Sequence, residues 1–273
     1  MEAREEFRRL IERPDAEIPL AEAALWIAAE GRPEVDVAGA LELLDRLAER
    51  AAPGLASRSE AERIARLNHH LFVHERFAGN RSDYEDPQNS FLDVVLERRL
   101  GIPITLSVVY VEVGRRLGLA VSGVGFPGHF LAKVATEAGE VVVDPFYGCV
   151  LDAEGCADRL RQVAGPTAEL DDAMLASASH RAILRRILGN LKHIHVVREE
   201  YARALACCER ILLLSPDDPI ERRDRGLVYR ELECFGPALA DLDYFLTRAP
   251  QHPTAPALVV LRDELARQAR FLN

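Results

Sequence analysis

The chain has 273 residues, of which 48% are hydrophobic and 29% charged, so it holds enough apolar surface for one or two packed domains and does not read as disordered. Its formal net charge of −10 argues against broad electrostatic adhesion to nucleic acid. No run of about 20 apolar residues occurs, which excludes a membrane-spanning helix of ordinary length.

Local basic groups exist, Arg181/Arg185/Arg186 and Arg222/Arg223/Arg225, and they read as solvated helix faces. The opening MEAREEFRRL is amphipathic and mixed in charge, so no signal peptide is expected. Five cysteines, Cys149, Cys156, Cys207, Cys208 and Cys234, form no CxxC pair, and the odd number fits a reducing, cytoplasmic setting.

The first predicted elements are helices. In Glu17–Glu30, Leu20, Ala24, Ile27 and Ala28 recur at helical spacing, and Gly31-Arg32-Pro33 stops the run. Val37–Ala51 repeats the pattern with Leu41, Leu44 and Leu47, ending at Pro53-Gly54. A third helix is predicted from Ser59, its N-cap, to Phe77. His69, His70 and His74 lie on it. His70 and His74, four apart, can reach one ion, and Glu75 is nearby, but the HExxH order is absent, and the histidines are read as core or surface residues with no metal expected. A polar loop, 78–89, follows.

Asn89 or Ser90 is then placed to cap a helix over Phe91–Leu100, with Gly101 as its C′ glycine. Thr105–Leu117 is apolar on most faces and is expected to be central and buried. Three strands follow: Ala120–Phe126, His129–Ala135 and Glu140–Asp144. A tight turn at Ala138-Gly139 pairs Glu137 with Glu140 and Lys133 with Asp144. Alternation then places His129, Leu131, Lys133 and Asp144 on one face, with His129 and Asp144 about 13 Å apart along the strands. A bulge or a different turn is needed to bring that pair together.

Four ordered motifs carry a resemblance. Asp86-Pro-Gln-Asn-Ser-Phe-Leu92, Arg99-Leu-Gly-Ile-Pro-Ile-Thr-Leu-Ser107, Phe126-Pro-Gly-His-Phe-Leu131 and Val143-Asp-Pro-Phe146 resemble the SirB-type transglutaminase-like proteins, bacterial proteins in which a transglutaminase-like core precedes tetratricopeptide (TPR) repeats. The resemblance spans residues 15 to 270. It implies an α+β class: a papain/transglutaminase-like domain with a helical N-terminal part and a small antiparallel sheet, followed by all-α repeats. The implied boundaries are 1–165 for the first domain (helical over 1–118, strands over 120–150), 166–179 for a linker and 180–273 for the repeats and a capping helix.

Such domains use a Cys at the start of a buried helix, a His on a strand and an Asp on the next. The helix end and the imidazolium stabilise a thiolate, and the Asp orients the His. By resemblance, His129 is the catalytic His and Asp144 the catalytic Asp. The helix that should open with Cys reads Gly101-Ile-Pro-Ile-Thr-Leu-Ser107 instead. Thr105 is the leading substitute nucleophile, with Ser107, Ser90 and Cys149 behind it; each also has a bland reading as a capping or packing residue. His129 and Asp144 themselves read either as a working pair or as a structural relic. Gly123, Gly125, Pro127 and Gly128 point to close backbone approach beside His129.

From His180 the pattern is helix-turn-helix. Pro216 and Pro250 are 34 residues apart, as are Ala204 and Ala238, the period of a TPR repeat. Gly226, Tyr229, Ala238 and Pro250 mark the second repeat. Leu188, Leu191, Tyr201 and Ala204 mark a weaker first one, and 255–271 reads as a capping helix. Cys207 and Cys208 read as packing residues. The expected function is therefore a degenerate enzyme acting as a protein-interaction or scaffold module through its repeats. The alternative is a hydrolase or acyl-transfer enzyme built on His129 and Asp144 with a non-cysteine or remote nucleophile. No cofactor, nucleic acid or membrane partner is expected.

Overall fold

The computed structural model describes residues 2–55 and 57–271. The chain divides into two compact units, Met1–Ile187 and Leu188–Asn273.

The first unit opens with α1 (Glu2–Ile11), which buries Phe7, Leu10 and Ile11, and α2 (Leu20–Ala29). Helix α2 is apolar nearly all round and buries Leu20, Leu25 and Ile27 almost completely, as a helix enclosed by neighbours must. Helix α3 (Val37–Ala51) is capped by Asp36, which accepts from Gly39 N. Helix α4 (Glu60–Asn68) begins with a full capping box between Ser59 and Glu62. The expected single helix to Phe77 does not form. At His69 the ladder widens into a π-helical turn, His69–His74, closed by Glu75 N donating to His70 O at 2.8 Å.

The expected all-helical run to residue 118 also contains two short strands. β1 (Ala78–Gly79) pairs in parallel with β2 (Leu100–Gly101). Between them lies α5 (Leu92–Arg98), which ends at Arg99 in the left-handed conformation, φ 60°, rather than at Gly101. Arg99 is held there by Glu75 and by stacking on Phe77, which leaves Gly101 free for the ladder. Helix α6 (Pro103–Arg116) starts with proline at N1 and is buried along most of its length, as its apolar sequence predicts.

The antiparallel sheet has the order β3 (Ala120–Val124), β4 (Leu131–Thr136), β5 (Gly139–Asp144), β6 (Cys149–Leu151). Its hairpin corrects the expected register. The turn residues are Glu137 and Ala138, Thr136 pairs with Gly139, and Lys133 pairs with Val142. Gly139, at φ 128°, follows the turn instead of forming it. Helix α7 (Ala153–Ala164), capped by Asp152, comes after the sheet.

Helix α8 (His180–Val197) spans the division between units. Its N-terminal N–H groups, those of His180 and Arg181, donate to the Asp15 carboxylate at 3.0 and 2.9 Å. Arg181 also donates to Ile11 O, and Arg186 to Phe126 O. These two arginines are therefore fixed among protein groups, contrary to the solvated face expected of them.

The second unit continues with α9 (Tyr201–Leu214), α10 (Pro219–Glu231), α11 (Phe235–Arg248) and α12 (Ala255–Phe271). Gly226 on α10 faces the Ala238 carbonyl so closely that an added Cβ would sit 3.2 Å from it, which is why a small residue is used there. Helix α12 packs Leu258 and Leu265 against Leu242 and Phe245 of α11. The second basic group is likewise pinned: Arg222 and Arg225 both pair with buried Asp241, and Arg223 pairs with Asp224.

Candidate functional site

The chain leaves β3 at Val124 and re-enters the sheet at Leu131. Phe126 and Phe130, both fully buried, anchor the two ends of this crossing. Gly128 adopts φ 60°, and an added Cβ would overlap Val163, so a left-handed glycine is required there. His129 N then donates to Phe126 O at 3.1 Å, which turns the histidine into the protein.

Asp144 ends β5. The observed register shifts the hairpin by two residues from the expected one, which shortens the offset between Asp144 and His129 while keeping them on one face. The result is direct contact: His129 Nε2 lies 3.0 Å from Asp144 Oδ2. The same oxygen receives Arg159 Nη2 of α7 at 3.1 Å. Asp144 Oδ1 accepts from Phe146 N at 3.0 Å and Tyr147 N at 3.3 Å, and Gly148 N donates to the Asp144 carbonyl at 2.8 Å. Asp144 is completely buried, and each of its carboxylate oxygens has two donors, the condition under which a buried charge is tolerated.

Aromatic rings frame the pair. His129 meets the edge of Phe146 at 6.0 Å and Tyr147 at 6.1 Å between centroids. The guanidinium groups of Arg159 and Arg81 stack on Tyr147 at 3.9 and 4.5 Å. Sequence reading missed Arg159 because it arrives from a separate helix, with no motif linking it to Asp144. With Nε2 turned to Asp144, Nδ1 of His129 has no hydrogen-bond partner among the described residues.

None of the proposed substitute nucleophiles hydrogen-bonds His129 among the described residues. Thr105 Oγ1 donates to the Asn89 carbonyl at 2.7 Å and accepts from Ile102 N at 3.2 Å, so it caps α6 and ties down the preceding loop. Ser107 Oγ faces the Phe130 carbonyl at 3.5 Å. Ser90 Oγ is buried without a hydrogen-bond partner. Cys149 stands directly opposite Asp144 in the β5–β6 ladder, closer than the sequence implied. Burial, and then the Asp144 charge, push its thiol pKa up against the smaller pull of Arg159, the reverse of what an activated thiolate needs.

Asn89 also accepts from Asn80 Nδ2 at 3.0 Å and donates to the Asp83 carbonyl at 2.7 Å, a buried amide network that fixes the loop before α5. Beside it opens a cleft of about 570 Å³, lined by Phe72, Phe77, Gly79, Arg81, Phe146 and Tyr147. In the second unit a cleft of about 400 Å³ is lined by Lys192, Tyr201, Asp224, Leu227 and Arg230, from α8, α9 and α10. Beneath it Lys192 bridges Glu221 at 2.7 Å and Asp224 at 2.8 Å.

Residues 38–189 match the transglutaminase-like superfamily, and residues 191–262 match the tetratricopeptide repeat family. A UPF0162 protein of Xylella fastidiosa is 42% identical over 247 residues, covering 86% of each chain. A UPF0162 protein of Vibrio cholerae is 34% identical over 242 residues, covering 88% of this chain and 89% of that one. Protein SirB1 of Salmonella typhimurium is 32% identical over 216 residues, covering 79% and 80%. No solved structure matches the chain significantly.

Proposed function

Since the chain belongs to the transglutaminase-like superfamily, with a tetratricopeptide-repeat module behind the core, we propose that it works by binding a protein or peptide and that its core no longer performs acyl transfer. The observation that carries this reading is that no candidate nucleophile hydrogen-bonds His129: Thr105 sits in a cap, Ser107 faces a carbonyl, Ser90 is buried without a partner, and Cys149 has its thiol pKa raised. An acyl-enzyme mechanism requires a nucleophile within about 3 Å of its base. The His129–Asp144–Arg159 group then acts as an internal ion pair that holds β5 and α7 in place. The cleft lined by Tyr201 and Leu227, with Lys192 and Arg230 at its wall, is where an extended peptide would lie, as repeat modules present such surfaces.

A second reading is favoured by one observation, the open Nδ1 of His129. A histidine held at Nε2 by a carboxylate and free at Nδ1 has the arrangement of a general base, able to activate a bound water in a hydrolase. The deciding experiment exposes the wild type and His129→Ala to thiol- and hydroxyl-directed covalent probes and to panels of esters, peptides and acyl donors. The binding reading expects no turnover and no His129-dependent labelling from folded protein. Turnover or labelling that disappears in His129→Ala overturns it.

A further inference from the structure

A second group of ionisable side chains converges on the π-helical turn. In an α-helix, residue 75 would stand roughly 140° around the axis from residue 70. The widened i→i+5 bond from Glu75 N to His70 O instead sets Glu75 over His70. The rings of His70 and His74 stack with centroids 5.4 Å apart and planes at 17°. Glu75 Oε1 lies 3.8 Å from His70 Nε2 and 3.6 Å from His74 Nδ1. One ligand atom from each of the three residues falls within 4.8 Å of the others.

All three are atoms of the type that ligate a transition metal. His70 is 5% exposed, and its Nε2 is buried with no hydrogen-bond partner. Burial holds the pKa of His70 below its ordinary value, helped by His74 and Arg50 against the pull of Glu75. A buried ring nitrogen left without a partner beside a carboxylate oxygen is unfavourable until a cation or a proton is shared between them.

The surroundings contain both a brace and a plug. Arg99 Nη2 holds Glu75 Oε2 at 3.1 Å and so fixes the carboxylate from its far side. Arg50 Nη2 lies 3.3 Å from Oε1, but its side chain is half exposed and free to swing away. His74, with a side chain 67% exposed, opens the group to solvent.

We propose that His70 Nε2, His74 Nδ1 and Glu75 Oε1 bind one divalent transition-metal ion of the zinc class, with water in the fourth position. Two histidines and a carboxylate form the donor set of open zinc sites. Bonds of about 2.0–2.1 Å at tetrahedral angles place ligand atoms about 3.3 Å apart. Rotation of the exposed His74 closes its 3.6 Å separation from Glu75 to that value, and a rotation of the Glu75 carboxylate by about 0.5 Å closes the 3.8 Å separation from His70.

The test titrates the full-length, chelator-treated protein with Co²⁺, reading the visible absorption of tetrahedral cobalt, and then displaces it with Zn²⁺. One Co²⁺ per chain should bind saturably and be displaced by Zn²⁺. His74→Ala and His70→Gln should each weaken binding by about tenfold or more. His74 is exposed, so its variant keeps the test decisive if His70→Gln fails to fold. Arg50→Ala should tighten binding about threefold or more, because it removes a competing positive charge. His193→Ala, in the other unit, should leave it unchanged. Absence of saturable binding, or binding that His74→Ala leaves within about twofold of wild type, overturns the proposal.

Discussion

Asp144 and Glu221 are both buried carboxylates, one in each unit, and they are satisfied differently. Asp144 has two donors on each oxygen, two of them backbone N–H groups from its own turn. Glu221 holds Lys192 with Oε2, while its Oε1 is buried without a hydrogen-bond partner. Burial accordingly pushes the Glu221 pKa up, and Lys192 only partly offsets it. A charge built into a local turn is paired wherever that turn forms. A charge met across two helices depends on how those helices pack.

The sharpest way to break this contrast is Asp144→Ala, which strands His129 and Arg159 in the interior. Urea denaturation of the full chain should show a loss of about 3–5 kcal/mol. Lys192→Met should cost less, about 2–3 kcal/mol by the same measurement, because Asp224 is partly exposed and takes up solvent in place of the amine. Thr105→Val removes the cap bond from Ile102 N and the bond to the Asn89 carbonyl, and thermal unfolding should register a loss of about 1–2 kcal/mol.

Glu221→Gln is the mildest change, within about 1 kcal/mol at neutral pH, and its signature is pH dependence. The folded-state pKa of Glu221 is raised above 4.5, so its contribution is fully present below that pH and is lost as pH rises through the folded value. Denaturation curves should therefore improve for Glu221→Gln relative to wild type as pH climbs from 4 towards 7. An unchanged difference across that range would show that Glu221 is paired as completely as Asp144.

Periodicity and capping residues were enough to place most helices. Ser59 caps α4 as its spacing with Glu62 implies, and the buried α6 follows from its apolar faces. The repeat period in the second half marks helices that the structure contains. The His129–Asp144 contact was not legible, because moving the turn by one residue moves the register by two, and glycine at φ 128° fits just after a turn as well as within it. The π-helical turn was invisible for a different reason: nothing in His69–His74 departs from an ordinary helical pattern. Arg159 was missed because its partner is set by tertiary packing, and Glu75 stood near the two histidines in sequence without the HExxH order that would have marked it.

Gly79 shows how far the site extends beyond its charged members. A methyl group at this position would sit 2.4 Å from the ring of Phe146, whose edge meets His129 and whose N–H donates to Asp144. In a mutational scan Gly79→Ala would therefore score like the loss of a functional group, although the glycine contributes no chemistry. Its importance is as vacant volume, a hollow that lets an aromatic ring seat itself and hold the histidine–aspartate pair in register.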